Sequence, residues 1–583
     1  MMQYAGSPFI QKMAIKDILS FPAFKPDRLK TPVLAAVLLF AIMTTVPFFD
    51  TCFRHSFEPD SAEHIATTTA FMQAILKLDP DRLDRPGLHP YGDAQYYFYS
   101  GAGLALKAAA AVLNLPAAGN DTSLSILAIR LVSAGADVAA ILLLFLLALK
   151  LTRSRLAAAM LAVLFALNPQ MRSVDLLRID HLIPPLGIFS LLLCLSILQN
   201  PGKARNFAFL GITLALLVNT KITAAVFLPP ALYALWRAGG KTAPGNIKSA
   251  AYFFLMASLL LSLRIIYAAP SVPALLSARF AHQSAHHALL SVHPYLFYSV
   301  NEFHGYGFLF LPLSAATLIV TAYAAFRLKE QKAALTLWAF VPAAVSGLFM
   351  PKLSHWGIYY PVMQLLVAGY GLGYLGERFK AGKQLYWRLC AIALGLSALS
   401  LNNHSFGPLA AQARARARSI EQTRTRPAQW LREHARPGDR LVCYAHSWAN
   451  PPVYELGLKI GTEPLNYPYL CYEKLKEFYP PDIDSLSADT DYVLLENIHK
   501  TRQLRQLDTL GLAAQAQAWR LFYKQLAGQF PPLVFQADYP NYGLSRVEIF
   551  PIKKPRPATS EKQSSAMTEN YFRTLSGNPG ILP

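Results

Sequence analysis

The residues best suited to chemistry in this sequence lie in a short acidic stretch, 57–64, directly after the first long apolar segment, 31–49. A carboxylate beside a membrane-spanning helix is costly unless it is hydrated, paired or part of a functional site. Asp60 and Glu63 are therefore the candidate catalytic residues.

Asp60 and Glu63 have two interpretations, and both stay open. Their three-residue spacing is that of a capping box, in which the Asp side chain accepts a backbone N–H and the Glu side chain reaches back. Glu63 and His64 also follow Asp60 on one helix face, so the three side chains are a possible site for a divalent metal. A capping carboxylate is held rigidly, so capping and catalysis are compatible. No cofactor is firmly predicted, and the metal ligands are unknown.

Composition indicates a membrane domain followed by a soluble one. The 583-residue chain is 53% hydrophobic and 15% charged, whereas soluble proteins carry about 25% charged residues. Residues 31–404 consist of apolar runs with short basic connectors, and residues 405–552 have an ordinary soluble composition. The net charge of +20 resides largely in those connectors, which argues against nucleic-acid binding. We predict a mainly α, polytopic membrane protein with a small C-terminal α/β domain.

The apolar runs also predict how the chain crosses the bilayer. A span needs about 20 apolar residues, and about eleven segments approach that length. They are 31–49, 126–149, 156–171, 182–199, 206–219, 222–236, 249–269, 306–326, 333–350, 357–376 and 387–402. Every second connector is basic, which places residues 1–30 in the cytoplasm. An odd number of spans then leaves the C-terminal domain on the periplasmic side.

The candidate polar residues outside the spans lie mainly on the outer face of the membrane. This face holds a long loop, 50–125, in which segments 61–78 and 96–115 are predicted to be helices lying in the membrane interface. It also holds turns near 172–181 and 351–356. This clustering predicts an active site at the outer face of the membrane.

Two polar pairs, one within a span and one in an outer turn, are candidates for structural contacts. Arg130 and Asp137 lie seven residues apart on the second span, so they share a face and predict a buried pair. Asp180 and His181 are adjacent in an outer turn. They either orient an acceptor or a cation, or form a structural pair.

The C-terminal region has a pattern typical of an α/β domain. Helices are predicted at 411–434 and near 502–527, and apolar stretches of strand length lie at 440–444, 491–496 and 545–550. We interpret this domain, 405–552, as a non-catalytic module that shapes access of the acceptor.

Two further features concern the tail and the cysteines. Residues 553–583 are polar and are predicted to be disordered. Cys443 and Cys471 lie in the soluble domain and form a disulfide if it is extracytoplasmic; two free thiols are the alternative.

The motifs after the first span resemble those of the GT-C membrane glycosyltransferases that use a polyprenyl-phosphate sugar. The protein O-mannosyltransferase-like and aminoarabinose transferase-like groups are the most similar. Asp60 matches the acidic position that opens a juxtamembrane helix, and the segment 89–97, with His89, Tyr96 and Tyr97, resembles the next motif. Ser61 stands where the family often has a second acid, so it is open whether Glu58 or Glu63 replaces that acid. Tyr91 stands where a second proline is usual.

Later motifs resemble the same family in the same order. They are Arg130-Leu-Val-Ser-Ala, Leu167-Asn-Pro, Arg178-Ile-Asp180, Asn219-Thr-Lys221, the basic and aromatic turn 352–361, and the segment 425–431 at the start of the outer domain. The resemblance covers most of residues 31–550. It implies a catalytic membrane domain at 31–404.

The resemblance also implies a mechanism. A sugar would move from a polyprenyl phosphate to an envelope acceptor by direct displacement, with inversion at the anomeric carbon and Asp60 as general base. The candidate substrate- and phosphate-binding residues are His89, Tyr96, Tyr97, Arg172, Arg178, Asp180, Lys221, Lys352, His355 and Tyr359. For the basic ones, contact with lipid headgroups is the alternative.

The implied partners are a polyprenyl-phosphate-linked sugar, the bilayer and an acceptor that is a lipid, a polysaccharide or a protein. The implied location is a bacterial inner membrane. A transporter and a non-catalytic envelope-assembly protein are the alternatives. The gathering of polar residues at one face argues against a transporter, whose sites lie near mid-bilayer.

Overall fold

The structure is a computed structural model. It describes residues 36–42, 59–78, 93–114, 121–168, 179–239, 244–261, 310–349, 359–379, 384–397, 422–423, 426–436, 439–444, 459–461, 479–497, 500–501, 504, 507–508, 511–536 and 546–553.

Up to residue 397 the regular elements of the described residues are helical. They are α1 Pro59–Lys77, α2 Ala94–Val112, α3 Asp121–Thr152, α4 Arg155–Leu167, α5 Ile183–Gln199, α6 Ala204–Thr220, α7 Leu228–Gly239, α8 Pro244–Leu261, α9 Phe310–Phe326, α10 Gln331–Phe349 and α11 Tyr360–Arg378. Two 3₁₀-helices, Ile179–Leu182 and Ile222–Phe227, precede α5 and α7. Residues 36–42 and 384–397 are also helical. Each predicted span therefore contains helical residues.

Length and composition single out some of these helices as candidate membrane spans. Among the described residues, Leu124–Thr152 and Asp180–Gln199 are long and apolar enough to cross a bilayer. Arg155–Leu167, Ala204–Thr220 and Pro312–Phe326 are shorter apolar helices. The figure of about eleven spans and the domain limits remain predictions.

The long helix α3 is central to the packing. It contacts α1, α2, α4, α5 and α11, and its buried face carries Ile141, Leu144 and Phe145. These residues belong to one continuous apolar core that extends from α3 to α11. Because α3 also contacts α1 and α2, these two helices are packed directly on the helical bundle.

Glycines allow the closest helix contacts. A Cβ at Gly211 of α6 would collide with the backbone carbonyl of Ala250 on α8. A Cβ at Gly373 of α11 would likewise collide with the carbonyl of Leu151 on α3. Small residues are typical of tight packing between membrane helices, where the gain comes from van der Waals contact.

The C-terminal region forms a mixed sheet flanked by helices. Its elements are α12 Arg426–His434, β1 Arg440–Tyr444, β2 Lys459–Gly461, α13 Ile483–Asp489, β3 Tyr492–Glu496, α14 Ala513–Gln529, β4 Leu533–Gln536 and β5 Arg546–Pro551. The five-stranded sheet has the order β2-β1-β3-β5-β4. Strand β1 is parallel to β2 and β3, whereas β5 is antiparallel to β3 and β4.

Both faces of the central strand β3 are covered. Val493 and Leu495 pack with Trp519 of α14 on one face. Tyr492 and Leu494 pack with Leu431 of α12 on the other. A strand buried on both faces reads as a continuous apolar run, which is why the sequence predicts it. The sequence missed β2 and β4.

Alanine at Gly211 should destabilise the protein. The added methyl group would push α8 away from α6, and overpacking of this kind costs about 1–3 kcal/mol. Gly135→Ala is the matched control on α3, because a Cβ there would meet nothing within 4 Å. Thermal unfolding of the two purified variants in detergent checks this: Gly211→Ala should have a lower midpoint than wild type, and Gly135→Ala should not. Equal midpoints for both variants would show that the α6–α8 contact is not tight.

Candidate functional site

A group of polar side chains is buried where α1, α2, α3, α5 and α6 approach one another. We name it the buried polar cluster; its members are His64, Tyr96, Asp137, Asp180, His181 and Lys221, each at most 5% exposed. Apolar residues of α1, α2, α3 and the turn before α5 pack beside it. Lysine, aspartate and histidine are rarely buried without specific partners, so their contacts define the site.

Lys221 reaches the interior because it lies between the end of one helix and the start of the next. Helix α6 ends at Thr220, Lys221 has an extended backbone, and a 3₁₀-helix begins at Ile222. The side chains of Asn219 and Thr220 bond to carbonyl oxygens one turn back in α6, which closes the end of that helix. A cation is also favoured at this position because the C-terminal end of a helix carries partial negative charge.

Lys221 forms a buried ion pair with Asp180. Its Nζ donates to Asp180 Oδ1 at 2.6 Å, and each side chain is 2% exposed. Removing two charges from water costs several kcal/mol per ion, and their mutual attraction offsets that cost only when the geometry is good. The pair therefore fixes the end of α6 against the turn that precedes α5.

His181, the next residue after Asp180, is bonded in turn to α3. Its Nδ1 lies 2.7 Å from Asp137 Oδ1, and both side chains are buried. The sequence predicted a pair between Arg130 and Asp137; the structure gives Asp137 a partner in His181. Arg130 is itself 1% exposed. Asp180 and His181, which are adjacent in one 3₁₀-helix, thus contact two different elements, the end of α6 and α3.

His64 and Tyr96 connect the two loop helices. His64 Nδ1 and the Tyr96 hydroxyl share a hydrogen bond of 2.9 Å, and both residues are buried. Helix α1 begins at Pro59, so Asp60 lies in its first turn and Glu63 immediately precedes His64. The side chains of Asp60 and Glu63 lie outside the described part of the chain, so the capping box and the catalytic assignment stay predictions.

The aromatic run 96–99 divides between the two faces of α2. Tyr96 and Tyr99 are buried, whereas Tyr97 and Phe98 are 38% and 41% exposed. The Tyr97 ring packs edge-on against Phe71 of α1 at 5.5 Å. Tyr97 and Phe98 are therefore partly exposed on the surface of α2, while Tyr96 belongs to the interior.

Tyr99 is a buried residue of α2 that lies within electrostatic range of Asp180. Burial raises the pKa of its hydroxyl; the adjacent Ser133 opposes this rise, and the carboxylate of Asp180 adds to it. The hydroxyl therefore stays protonated. Ser133 and Asp137 lie on α3 four residues apart, so they share one face of that helix.

Of the remaining predicted site residues, the structure describes one, Tyr359. Tyr359 is fully buried immediately before α11, within the main apolar core. Five candidates lie outside the described residues: His89, Arg172, Arg178, Lys352 and His355. Cys471 and the side chain of Cys443 also lie outside them. Their roles stay predictions.

The predicted metal site depends on the side chains of Asp60 and Glu63, which lie outside the described part of the chain. Within the part of the chain that the structure describes, three or more His, Cys, Asp or Glu side chains do not come together as metal ligands. His64, one member of the predicted set with Asp60 and Glu63, contacts Tyr96.

Sequence reasoning missed the contribution of Tyr99 and Ser133 to this site. A signal for it was present, because Arg130, Ser133 and Asp137 recur at spacings of three and four along an otherwise apolar helix. Such a polar stripe indicates a face turned toward other polar groups.

Comparison with known proteins finds solved structures that share this fold. No known family model matches the sequence, and no curated protein matches it. The solved structures of similar fold include the following three. The oligosaccharyltransferase AglB from Archaeoglobus fulgidus, in complex with an inhibitory peptide and a dolichol-phosphate, has a TM-score of 0.53 at 12% identity, covering 81% of this chain and 70% of that one.

The other two are structures of ArnT from Cupriavidus metallidurans. In the apo state it has a TM-score of 0.54 at 13% identity, covering 88% of this chain and 98% of that one. Bound to undecaprenyl phosphate it has a TM-score of 0.52 at 13% identity, covering 90% and 99%. A polyprenyl phosphate is thus bound in one structure of each protein, dolichol-phosphate in AglB and undecaprenyl phosphate in ArnT. This chain therefore shares the fold of AglB and ArnT, which agrees with the resemblance seen in the sequence.

Proposed function

We propose that this protein is a membrane glycosyltransferase that moves a sugar from a polyprenyl-phosphate donor to an envelope acceptor, on the periplasmic face of a bacterial inner membrane. The observation that carries the proposal is the buried ammonium of Lys221 in a chain whose fold matches, over 90% of its length, that of a protein bound to undecaprenyl phosphate. The envelope acceptor would be a lipid, a polysaccharide or a protein.

Lys221 would stabilise the phosphate that leaves the sugar. Its ammonium is desolvated and held by Asp180 at 2.6 Å, so it is already oriented when the donor binds. Preorganised charge of this kind is among the largest contributions to catalysis. The ion pair is neutral as a whole, so further cations are needed to bind an anion. Arg172 and Arg178, on the segment that leads to Asp180, would supply them in bidentate contacts.

Asp60 would remove the proton of the acceptor hydroxyl. The acceptor oxygen then bonds to the anomeric carbon, the bond from that carbon to the phosphate oxygen breaks, and the configuration inverts. The proton passes to the Asp60 carboxylate. The hydrogen bond between His64 and Tyr96 supports this role, because it fixes the first turns of α1 against α2. Glu63 would cap the helix or assist the base.

The lipid tail of the donor would approach along the exposed face of α2. Tyr97 and Phe98 present large aromatic surfaces there, and aromatic rings are favoured at the membrane interface. His89, Tyr96, Lys352, His355 and Tyr359 would complete the pocket for the sugar and its phosphate. A divalent metal bound by Asp60 and Glu63 is compatible with this arrangement but is not required by it.

Asp60→Asn should abolish sugar transfer without unfolding the protein. Asparagine has the same shape but cannot accept a proton, and losing a general base costs about 10²–10⁴-fold in rate. The assay is mass spectrometry of envelope lipids and glycans in a deletion strain that expresses the variant. Asp484→Asn is the matched control, because Asp484 is exposed on α13 of the C-terminal region.

Two results would contradict the assignment. Normal glycan profiles with folded Asp60→Asn would remove Asp60 as the base. A deletion strain whose glycans and envelope lipids are all unchanged would favour a transporter or a non-catalytic assembly protein.

Replacing both members of the Lys221–Asp180 pair separates a structural role from a catalytic one. Lys221→Met alone leaves a buried carboxylate unpaired, which destabilises by about 3–5 kcal/mol. The double variant Lys221→Met/Asp180→Leu removes both charges and should recover most of that stability. It should nevertheless transfer sugar much more slowly than wild type, because the leaving phosphate has lost the Lys221 ammonium. Thermal unfolding in detergent and the glycan assay together check this.

The Lys107–Asp121 pair provides the control. It joins α2 to α3 at 2.5 Å and is partly exposed, with side chains 30% and 19% accessible. Its double replacement Lys107→Met/Asp121→Leu should preserve sugar transfer. Full transfer by the stable Lys221/Asp180 double variant would show that this pair is structural only.

A further inference from the structure

A second polar site lies at the far end of the helices that carry the buried polar cluster. A cavity of about 320 Å³ opens between the ends of α3 and α5, the turn between α9 and α10, and α11. Its lining includes Arg153, Gln199, Lys332 and Tyr374. Helix α5 has 17 residues, so at 1.5 Å per residue about 25 Å separates this cavity from Asp180. It is therefore distinct from the proposed active site.

The cavity lies where two candidate membrane spans end. Both long candidate spans end beside it, one at Thr152 and the other at Gln199. Arg153 and Gln199 of the lining stand at those ends. The lining combines charged, amide and tyrosine side chains, whereas the helix surfaces above it are apolar. A ligand held here would have a polar head in the cavity and apolar chains along the helices.

Lysines give this region a surplus of positive charge. Lys332 lines the cavity, and it and Lys203 lie within electrostatic range of Lys150. Lys150 Nζ donates to the neutral Ser196 hydroxyl at 3.1 Å. Across the described ranges, none of these three lysines forms an ion pair with a carboxylate.

The two carboxylates of the lining already have partners. The Tyr370 hydroxyl donates to Glu330 Oε2 at 2.6 Å. Arg153 pairs with Glu377 at 2.7 Å. Arg153 offsets the charge of Glu377, whereas Glu330 keeps its negative charge. The three lysines together still outnumber that carboxylate, so the region has a net positive charge.

The Tyr374 hydroxyl is an unsatisfied donor in the wall of the cavity. It is buried and has no hydrogen-bond partner among the described residues. Its ring stacks on Tyr370 with centroids 6.2 Å apart, and the Arg378 guanidinium lies 4.9 Å from its centroid. A buried hydroxyl without a partner is costly, and an oxygen of a bound ligand would remove that cost.

We propose that this cavity binds the phosphate headgroup of an anionic membrane lipid. The phosphate would lie near the ammonium groups of Lys332 and Lys150 and accept a hydrogen bond from Tyr374. Basic pockets between helices at the membrane surface bind such headgroups, and the volume lies at the lower end of the range for small-ligand sites. The lipid would join the ends of α3, α5, α10 and α11, independently of the reaction at the other end.

The test titrates lipid into the purified full-length protein in detergent and measures bound lipid by native mass spectrometry. Phosphatidylglycerol should bind and raise the unfolding midpoint. Lys332→Gln should weaken its affinity about fivefold, and Lys332→Gln/Lys150→Gln about 25-fold, because each lysine loses one headgroup contact. Lys248→Gln removes the same charge from an exposed position on α8 and should leave binding unchanged.

Tyr374→Phe keeps the ring and removes only the unsatisfied hydroxyl, so it gives a readout that does not depend on charge. It should weaken phosphatidylglycerol binding several-fold while the lipid-free protein remains as stable as wild type. Three results would overturn the proposal. They are equal affinity for phosphatidylcholine, unchanged binding in the lysine and tyrosine variants, and full competition by inorganic phosphate, which would make the site one for the free anion.

Discussion

A lysine ammonium buried inside the protein constrains the helices around it. Lys221 and Asp180 are both removed from water, and only close contact between them offsets the cost of desolvation. The end of α6 and the turn before α5 must therefore stay in register. His181 extends the same constraint to α3 through Asp137. Two adjacent residues, 180 and 181, thus hold three helices in place at the site where a donor phosphate would bind.

The two loop helices complete this arrangement from the other side. The bond between His64 and Tyr96 attaches α1 to α2, and both helices contact α3. The first turn of α1, with Asp60, is thereby positioned by the same helix that holds Asp137. A general base on one element and a phosphate-binding cation on another can keep a fixed separation only if the helices between them are rigid. The glycine contacts bring α6 close to α8 and α11 close to α3.

Local patterns in the sequence predicted the helices up to residue 397, α12, α14 and the three longest strands, mostly from apolar runs of suitable length. They missed the short helix α13. They singled out Lys221, a basic residue between two short apolar segments. They could not supply its partner, because Asp180 lies 41 residues away. The seven-residue spacing pointed from Asp137 to Arg130, while the observed contact, His181, is 44 residues distant. Strand β2 has three residues and β4 lies at the sheet edge, so neither leaves a clear periodic signal.

The central claim is that Lys221 binds the phosphate of a polyprenyl donor. It is tested most directly by a cryo-electron microscopy structure of the full-length protein in lipid nanodiscs with undecaprenyl phosphate. The account predicts phosphate density within about 4 Å of Lys221 Nζ, the range of an ion pair, with the isoprenoid chain leaving past Tyr97. Lipid phosphate bound elsewhere, with Lys221 contacting only Asp180, would contradict it.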